Sequence, residues 1–236
     1  MDESIPTTDG RALKHGAPPG LPRILLVEDD AVSQAYLAAV LEALPATVEA
    51  VASAGAALQA VARERDGHVL WLVDAHLPDA DGATLLARLR PLAPWTPAIA
   101  HTASRERDEI DALLAAGFGQ VLRKPIAAAT LRAAVGDTLH GRIAVAETQA
   151  PVHWNVALLQ QLLLDELPGQ QAAVGGALAA GDHVAAAGVL HRMRGACALV
   201  GARGLDAAVR ALQRAPGCAI ALEAFNQAIA ALLRQA

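Results

Sequence analysis

Five consecutive apolar residues, Val69 to Val73 (VLWLV), run without a polar break into Asp74, and a turn-forming stretch with Leu77, Pro78, Asp81 and Gly82 follows. A strand covered on one side only would alternate apolar and polar residues. An unbroken run suits a strand buried on both faces, as in a parallel sheet sandwiched between helices. In such open sheets functional groups collect just beyond the carboxyl ends of the strands. Asp74 stands at that place, although an Asp ending a strand also serves as a turn former or helix cap.

The neighbouring segments repeat the pattern. ILLV (Ile24 to Val27) reads as a first strand and ends in Glu28, Asp29 and Asp30; Ala31 to Leu44 has helical spacing and is stopped by Pro45. A short strand is expected over Thr47 to Val51 and an Ala-rich helix over Ala54 to Arg63. After the Asp74 strand come a helix from about Ala83 to Arg90, a strand over Pro97 to His101, and a helix over Glu106 to Ala116. A fifth strand, Gln120 to Leu122, ends in Arg123, Lys124 and Pro125 and precedes a helix reaching about Leu139. Strand and helix thus alternate five times, which predicts a doubly wound, five-stranded parallel sheet with right-handed crossovers.

The polar residues gather where the strands end. Strand one delivers Glu28 and Asp29, strand three Asp74, strand four Thr102 and strand five Lys124. Asp29 or Asp30 could cap the next helix, Thr102 could do likewise, and Lys124 could be solvated. Taken jointly, three carboxylates at one rim repel one another and call for a cation. Clustered oxygen ligands with room for water suit Mg²⁺.

The motifs ILLVEDD, VDAHLPDADG, AHTAS and RKP, in this order and spacing, resemble the receiver domain of bacterial response regulators over about 118 residues. The resemblance implies a flavodoxin-like fold, with Asp74 as acceptor of a phosphoryl group. Asp29, Asp74 and the backbone carbonyl of His76 would hold Mg²⁺, with Glu28 acting mainly through water. Thr102 would hydrogen-bond one phosphoryl oxygen and Lys124 would pair with another, while the small Ala103 leaves access. His76 and Ser104 flank the pocket. Phosphoryl transfer asks a protein chiefly for positioning and charge neutralisation, which fits these residue types. One departure stands out: similar receivers often carry an aromatic residue three before the Lys, and here that residue is Val121.

From His153 onward the sequence is helical throughout. The expected segments are WNVALLQQLLLDEL, ended by Pro168 and Gly169; Gln170 to Ala180; His183 to Val200; Arg203 to Arg214; and Ala219 to Arg234. Short turns between them predict an antiparallel bundle. Within VLHRMRGACALVGARGL, His191, Arg194 and Gly195 share a helix face at i, i+3 and i+4. A helical His is most often a surface or satisfied core residue. Gly inside a helix, however, costs up to about 1 kcal/mol against Ala, and close approach of another molecule is one reason to keep it. The stretch resembles the histidine-containing phosphotransfer domain, a four-helix bundle with the motif His-x-x-Lys-Gly, an apolar stretch, then Gly and Leu. Here these are His191, Arg194 in place of Lys, Gly195, Gly201 and Leu205, so the resemblance implies a phosphohistidine at His191 with Arg194 and Gly195 around it.

Domain organisation follows: a disordered leader over 1–22, a receiver over 23–140, a linker over 141–152 (GRIAVAETQAPV) and the phosphotransfer bundle over 153–236. Residues 23–140 hold 10 basic against 15 acidic side chains and residues 141–236 hold 7 against 6, so neither half has the basic stripe that DNA binding requires. No apolar run reaches the roughly 18 residues of a membrane span, and the start shows no signal-peptide pattern; a cytoplasmic protein without membrane insertion is expected. Cys197 and Cys218, with no CxxC, read as reduced and structural. There is no nucleotide-binding loop, so no ATP-dependent kinase activity of its own is expected. The expected function is a phosphorelay intermediate that accepts phosphate on Asp74 from a sensor histidine kinase and passes it through His191 to or from another response regulator receiver. The alternatives are a phosphorylation-gated binding module, or a phosphate sink, in which His191 does not relay.

Overall fold

The computed structural model describes residues 21–63, 67–139 and 155–234. Most of the expected leader and all of the expected linker fall outside these residues. The first half contains β1 (Arg23–Val27), α1 (Ala31–Glu42), β2 (Thr47–Val51), α2 (Ala54–Arg63), β3 (His68–Asp74), α3 (Gly82–Leu89), β4 (Ala98–Thr102), α4 (Arg107–Ala115), β5 (Gln120–Arg123) and α5 (Ala128–Leu139). All five strands are parallel, in the order β2-β1-β3-β4-β5. This is the doubly wound sheet expected, and the chain reverses its direction of growth between β1 and β3. The carboxyl ends of those two strands, which carry Glu28, Asp29 and Asp74, therefore flank the topological switch point.

Because successive side chains on a strand face opposite ways, the unbroken apolar runs serve two cores. Ile24, Leu26, Leu70, Leu72 and Ile99 face α1 and α5. Leu25, Val27, Trp71, Val73 and Ala100 face α2, α3 and α4. The Arg90 guanidinium lies 5.5 Å from the centre of the Trp71 ring.

The second half contains α6 (Val156–Ala179), α7 (His183–Val200), α8 (Arg203–Arg214) and α9 (Ala219–Leu233). Asp182 caps α7 by accepting from the Ala185 amide at 2.9 Å, and Gly201 ends it in the left-handed conformation at φ 74°. The sequence predicts a stop at Pro168 and Gly169, whereas α6 runs straight through both. A proline inside a helix costs about 3 kcal/mol or more. Leu159, Leu163, Leu167 and Val174 form one buried stripe on both sides of it, and each buried aliphatic side chain returns about 1.5–3 kcal/mol. The stripe outweighs the break, so four helices stand where five segments were expected. Their buried side chains, among them Leu190, Met193, Val209, Phe225 and Ile229, continue the core on the α1 side of the sheet. Helix α1 is thereby packed between the sheet and the α6–α7 pair. No helix among the described residues is long and apolar enough to cross a membrane.

Candidate functional site

The rim begins with the end of β1. Glu28 is fully buried, and Asp30 caps α1 by accepting from the Ser33 amide at 2.7 Å; of the two capping readings open from sequence, the cap is Asp30. Beyond β3 the chain must turn at once, and Gly82 makes the turn possible. A Cβ there would stand 2.9 Å from the Asp74 carbonyl oxygen and 3.1 Å from Ala75 Cα. Asp81 caps α3 through the Thr84 amide at 2.7 Å, and the Gly82 amide donates to the Ala75 carbonyl at 2.9 Å.

Asp74 is buried in the resulting socket. Its Oδ1 accepts the His76 amide at 3.0 Å and its Oδ2 accepts Lys124 Nζ at 2.5 Å. The same ammonium donates to Glu28 Oε2 at 2.6 Å, and the Lys124 amide donates to the Thr102 carbonyl at 2.8 Å, which fixes its backbone to β4. Burial alone would weaken the Lys124 ammonium, but Glu28 and Asp74 outweigh it and hold the group charged. Burial likewise opposes the Asp74 carboxylate, and Lys124 overcomes it, leaving its pKa below the usual range. Glu28, more deeply desolvated and beside Asp74, is pushed well above the usual carboxylate range. Asp29 is raised by burial, partly offset by Arg192.

Thr102 stands at the expected place with its hydroxyl turned to α4: Oγ1 donates to Glu109 Oε1 at 2.8 Å and accepts the Ser104 amide at 3.0 Å. His191, on α7, faces the same space from the opposite side. A cavity of about 360 Å³ is lined by Asp74, Lys124, His76 and Glu109 from the sheet half and by His191 and Arg192 from the helical half. The His76 and His191 rings are 6.1 Å apart, and His191 Nε2 is buried without a hydrogen-bond partner among the described residues. Desolvation, then the positive field of its neighbours, lowers the His191 pKa and keeps the imidazole neutral. Gly195 packs toward Ser33 of α1, where a Cβ would make ordinary contact with Ser33 Oγ at 3.7 Å.

The charge of Arg194 acts on His191, but its side chain is not among those lining the cavity. Its guanidinium turns within the helical bundle, 3.4 Å from Gln213 Oε1 and 3.8 Å from Asp206 Oδ1. The cation that the helical half brings to the rim is Arg192, whose Nε lies 3.3 Å from Asp29 Oδ2. Glu166 of α6 accepts the Ala31 amide at 3.3 Å, at the start of α1. Neither residue belongs to the site predicted from sequence. His101 also lies outside the predicted site: it is fully buried in β4 opposite Asp74, with Nδ1 3.6 Å from Glu28 Oε2. Burial, then Lys124, lowers its pKa to about 3. The available signal was a polar residue at the inward end of an otherwise apolar strand, directly before Thr102.

The donor set fits a hard divalent cation. Asp29 Oδ1 is buried without a hydrogen-bond partner among the described residues, and carboxylate oxygens of Glu28 and Asp74 lie within 4.8 Å of each other. Carboxylate and carbonyl oxygens near water are the ligands Mg²⁺ takes.

Residues 24–136 match the family model described as the response regulator receiver domain. Sensor histidine kinase AruS of Pseudomonas aeruginosa is 33% identical over 207 residues, covering 81% of this chain and 20% of its own length. An uncharacterized 14.6 kDa protein of Leptolyngbya boryana is 35% identical over 105 residues, covering 44% of this chain and 79% of its own length. Among solved structures, the receiver domain of the sensor histidine kinase PA1611 from Pseudomonas aeruginosa PAO1, described with a magnesium ion coordinated in the active site cleft, shares 31% identity. That match covers 50% of this chain and 97% of the other, with a TM-score of 0.46. The chain spans about a fifth of the length of AruS.

Proposed function

The chain belongs to the response regulator receiver family through residues 24–136, and from that premise we propose that it is a phosphorelay intermediate in which Asp74 and His191 exchange a phosphoryl group. The observation that carries this reading is the single cavity lined by both residues together with Lys124. The similarity to AruS supports it, because at 81% of the chain it runs past the receiver into the helical half. Two-component signalling is the setting of that kinase and of the receiver family. On this reading a sensor histidine kinase supplies the phosphoryl group, and a further response regulator receiver takes or returns it.

In the first step an Asp74 carboxylate oxygen attacks phosphorus as the donor's leaving group departs, forming an acyl phosphate. In the second, His191 Nε2 attacks that phosphorus, the bond to Asp74 breaks, and Asp74 returns to a carboxylate. Lys124 holds Asp74 ionised and stands where a transferring phosphoryl oxygen needs a positive partner. The His76 amide orients the other carboxylate oxygen. Burial of His191 leaves its ring neutral and its nitrogen lone pair available. Asp29, Asp74, the His76 carbonyl and, through water, Glu28 would hold Mg²⁺, which when bound neutralises charge on the phosphoryl oxygens. Thr102 would meet one of those oxygens after its hydroxyl turns. The bundle of 153–236 is the phosphotransfer module in this reading, with Gly195 on its receiver-facing side and Arg194 bracing α7 against α8.

The test uses the purified chain with Mg²⁺ and a small acyl-phosphate donor, comparing wild type, Asp74→Ala and His191→Ala. The expected product is acid-labile, base-stable phosphohistidine that vanishes in both variants. Phosphoaspartate alone, with no histidine product even after a partner receiver is added, refutes the relay and leaves the gated binding module.

A further inference from the structure

A hydroxyl has one proton to donate, and Thr102 gives its proton to Glu109 at 2.8 Å. The same proton cannot at once meet a phosphoryl oxygen on Asp74. Glu109 lies in the first turn of α4, where the helix terminus favours a carboxylate. It borders the cavity that Asp74 and His191 share, and its Oε1 is 3.8 Å from His76 Nδ1. On β5, Val121 packs against the core on the α4 side, so the neighbour that must yield when Thr102 moves is a carboxylate and not an aromatic ring.

We infer that Glu109 is a positioning residue that competes with a phosphoryl group on Asp74 for the Thr102 proton, holding Thr102 toward α4 until that group arrives and then releasing it. The inference rests on Asp74 being the acceptor. A phosphoryl group brings about −1.5 to −2 charges and three acceptor oxygens. Those oxygens compete with the Glu109 carboxylate for the one Thr102 proton. The Glu109 side chain, 29% exposed, turns to water, and the first turn of α4 loses its tether to β4. Phosphorylation is thereby converted into loosening of α4 by the exchange of one hydrogen bond.

Hydrogen–deuterium exchange on the full chain tests this over the amides of residues 103–112. Without a donor, Glu109→Ala is expected to raise exchange there roughly tenfold, the loss of one hydrogen bond to a charged group, and Thr102→Ala is expected to match it. Glu109→Gln retains a carbonyl acceptor and is expected to stay close to wild type. With Mg²⁺ and beryllium fluoride, a phosphoryl mimic, wild type is expected to loosen over the same amides, Glu109→Ala to change no further, and Asp74→Ala not to respond. Wild-type exchange in unloaded Glu109→Ala overturns the inference, as does loading that protects these amides. If loading has no effect on wild type while unloaded Glu109→Ala still loosens α4, the tether stands and the reading of Asp74 as acceptor fails.

Discussion

Replacing Lys124 by methionine keeps the length of the side chain, removes its charge, and leaves two buried carboxylates facing each other. Glu28 is 0% and Asp74 3% exposed, and Lys124 is the cation both contact, at 2.6 and 2.5 Å. Removing one partner of a buried ion pair costs about 3–5 kcal/mol. In a domain of about 150–250 residues each kcal/mol moves Tm by about 2–4 °C, so the expected fall at pH 7 is roughly 6–20 °C. The sign of the pH dependence separates this cause from lost packing. Without the ammonium both carboxyl groups have folded pKa values above their unfolded ones, so the folded state takes up protons first and regains stability as pH falls. The gap to wild type is therefore expected to narrow between pH 7 and pH 5. Thermal melts followed by circular dichroism at both pH values measure it, and addition of Asp74→Asn to Lys124→Met is expected to recover part of the loss. A Lys124→Met protein that melts within a degree of wild type at pH 7, or whose deficit grows on acidification, refutes the electrostatic account.

Three further outcomes follow from the same geometry. Gly82→Ala forces a Cβ to within 2.9 Å of the Asp74 carbonyl oxygen; it is expected to cost about 1–3 kcal/mol of stability in urea unfolding and to slow phosphorylation of Asp74 by moving its backbone. His101 is neutral in the fold, with a pKa of about 3, against about 6.5 in the unfolded chain; the unfolded chain binds the extra proton between those values, so stability falls with pH across that window. His101→Leu is expected to remove that part of the acid sensitivity, seen as a smaller drop in Tm from pH 7 to pH 5. Arg192→Glu places a carboxylate against Asp29, now 3.3 Å from the guanidinium; transfer from phospho-Asp74 to His191 in single-turnover assays is expected to slow, while acyl-phosphate loading of Asp74 continues.

The sheet was legible because its information is local. Unbroken apolar runs at Ile24–Val27 and Val69–Val73 specify strands buried on both faces, and the alternation with helices leaves one economical topology, which brings the strand ends to a common rim. Glu28, Asp29, Asp74, Thr102 and Lys124 can be assigned to the strand ends from sequence for that reason. Helix α7 was likewise marked by Asp182 before it and Gly201 after it.

What the sequence could not decide depends on long-range packing. Pro168 reads as a stop, and only the buried stripe formed with the rest of the bundle carries α6 through it. Arg192 and Arg194 are two residues apart on one helix and so point different ways; which one meets Asp29 and which turns to Asp206 was set by how α7 lies against α1 and α8. The proton of Thr102 goes to Glu109 because the crossover from β4 returns α4 beside it. His101 reads in sequence only as the end of a strand, and the register alone sets it opposite Asp74. Sequence determines which residues can form strands, helices and a charged rim, because those depend on near neighbours. Tertiary structure decides which charges meet at the rim, because that depends on partners far apart along the chain: 50 positions between Asp74 and Lys124, 96 between Glu28 and Lys124, and 163 between Asp29 and Arg192.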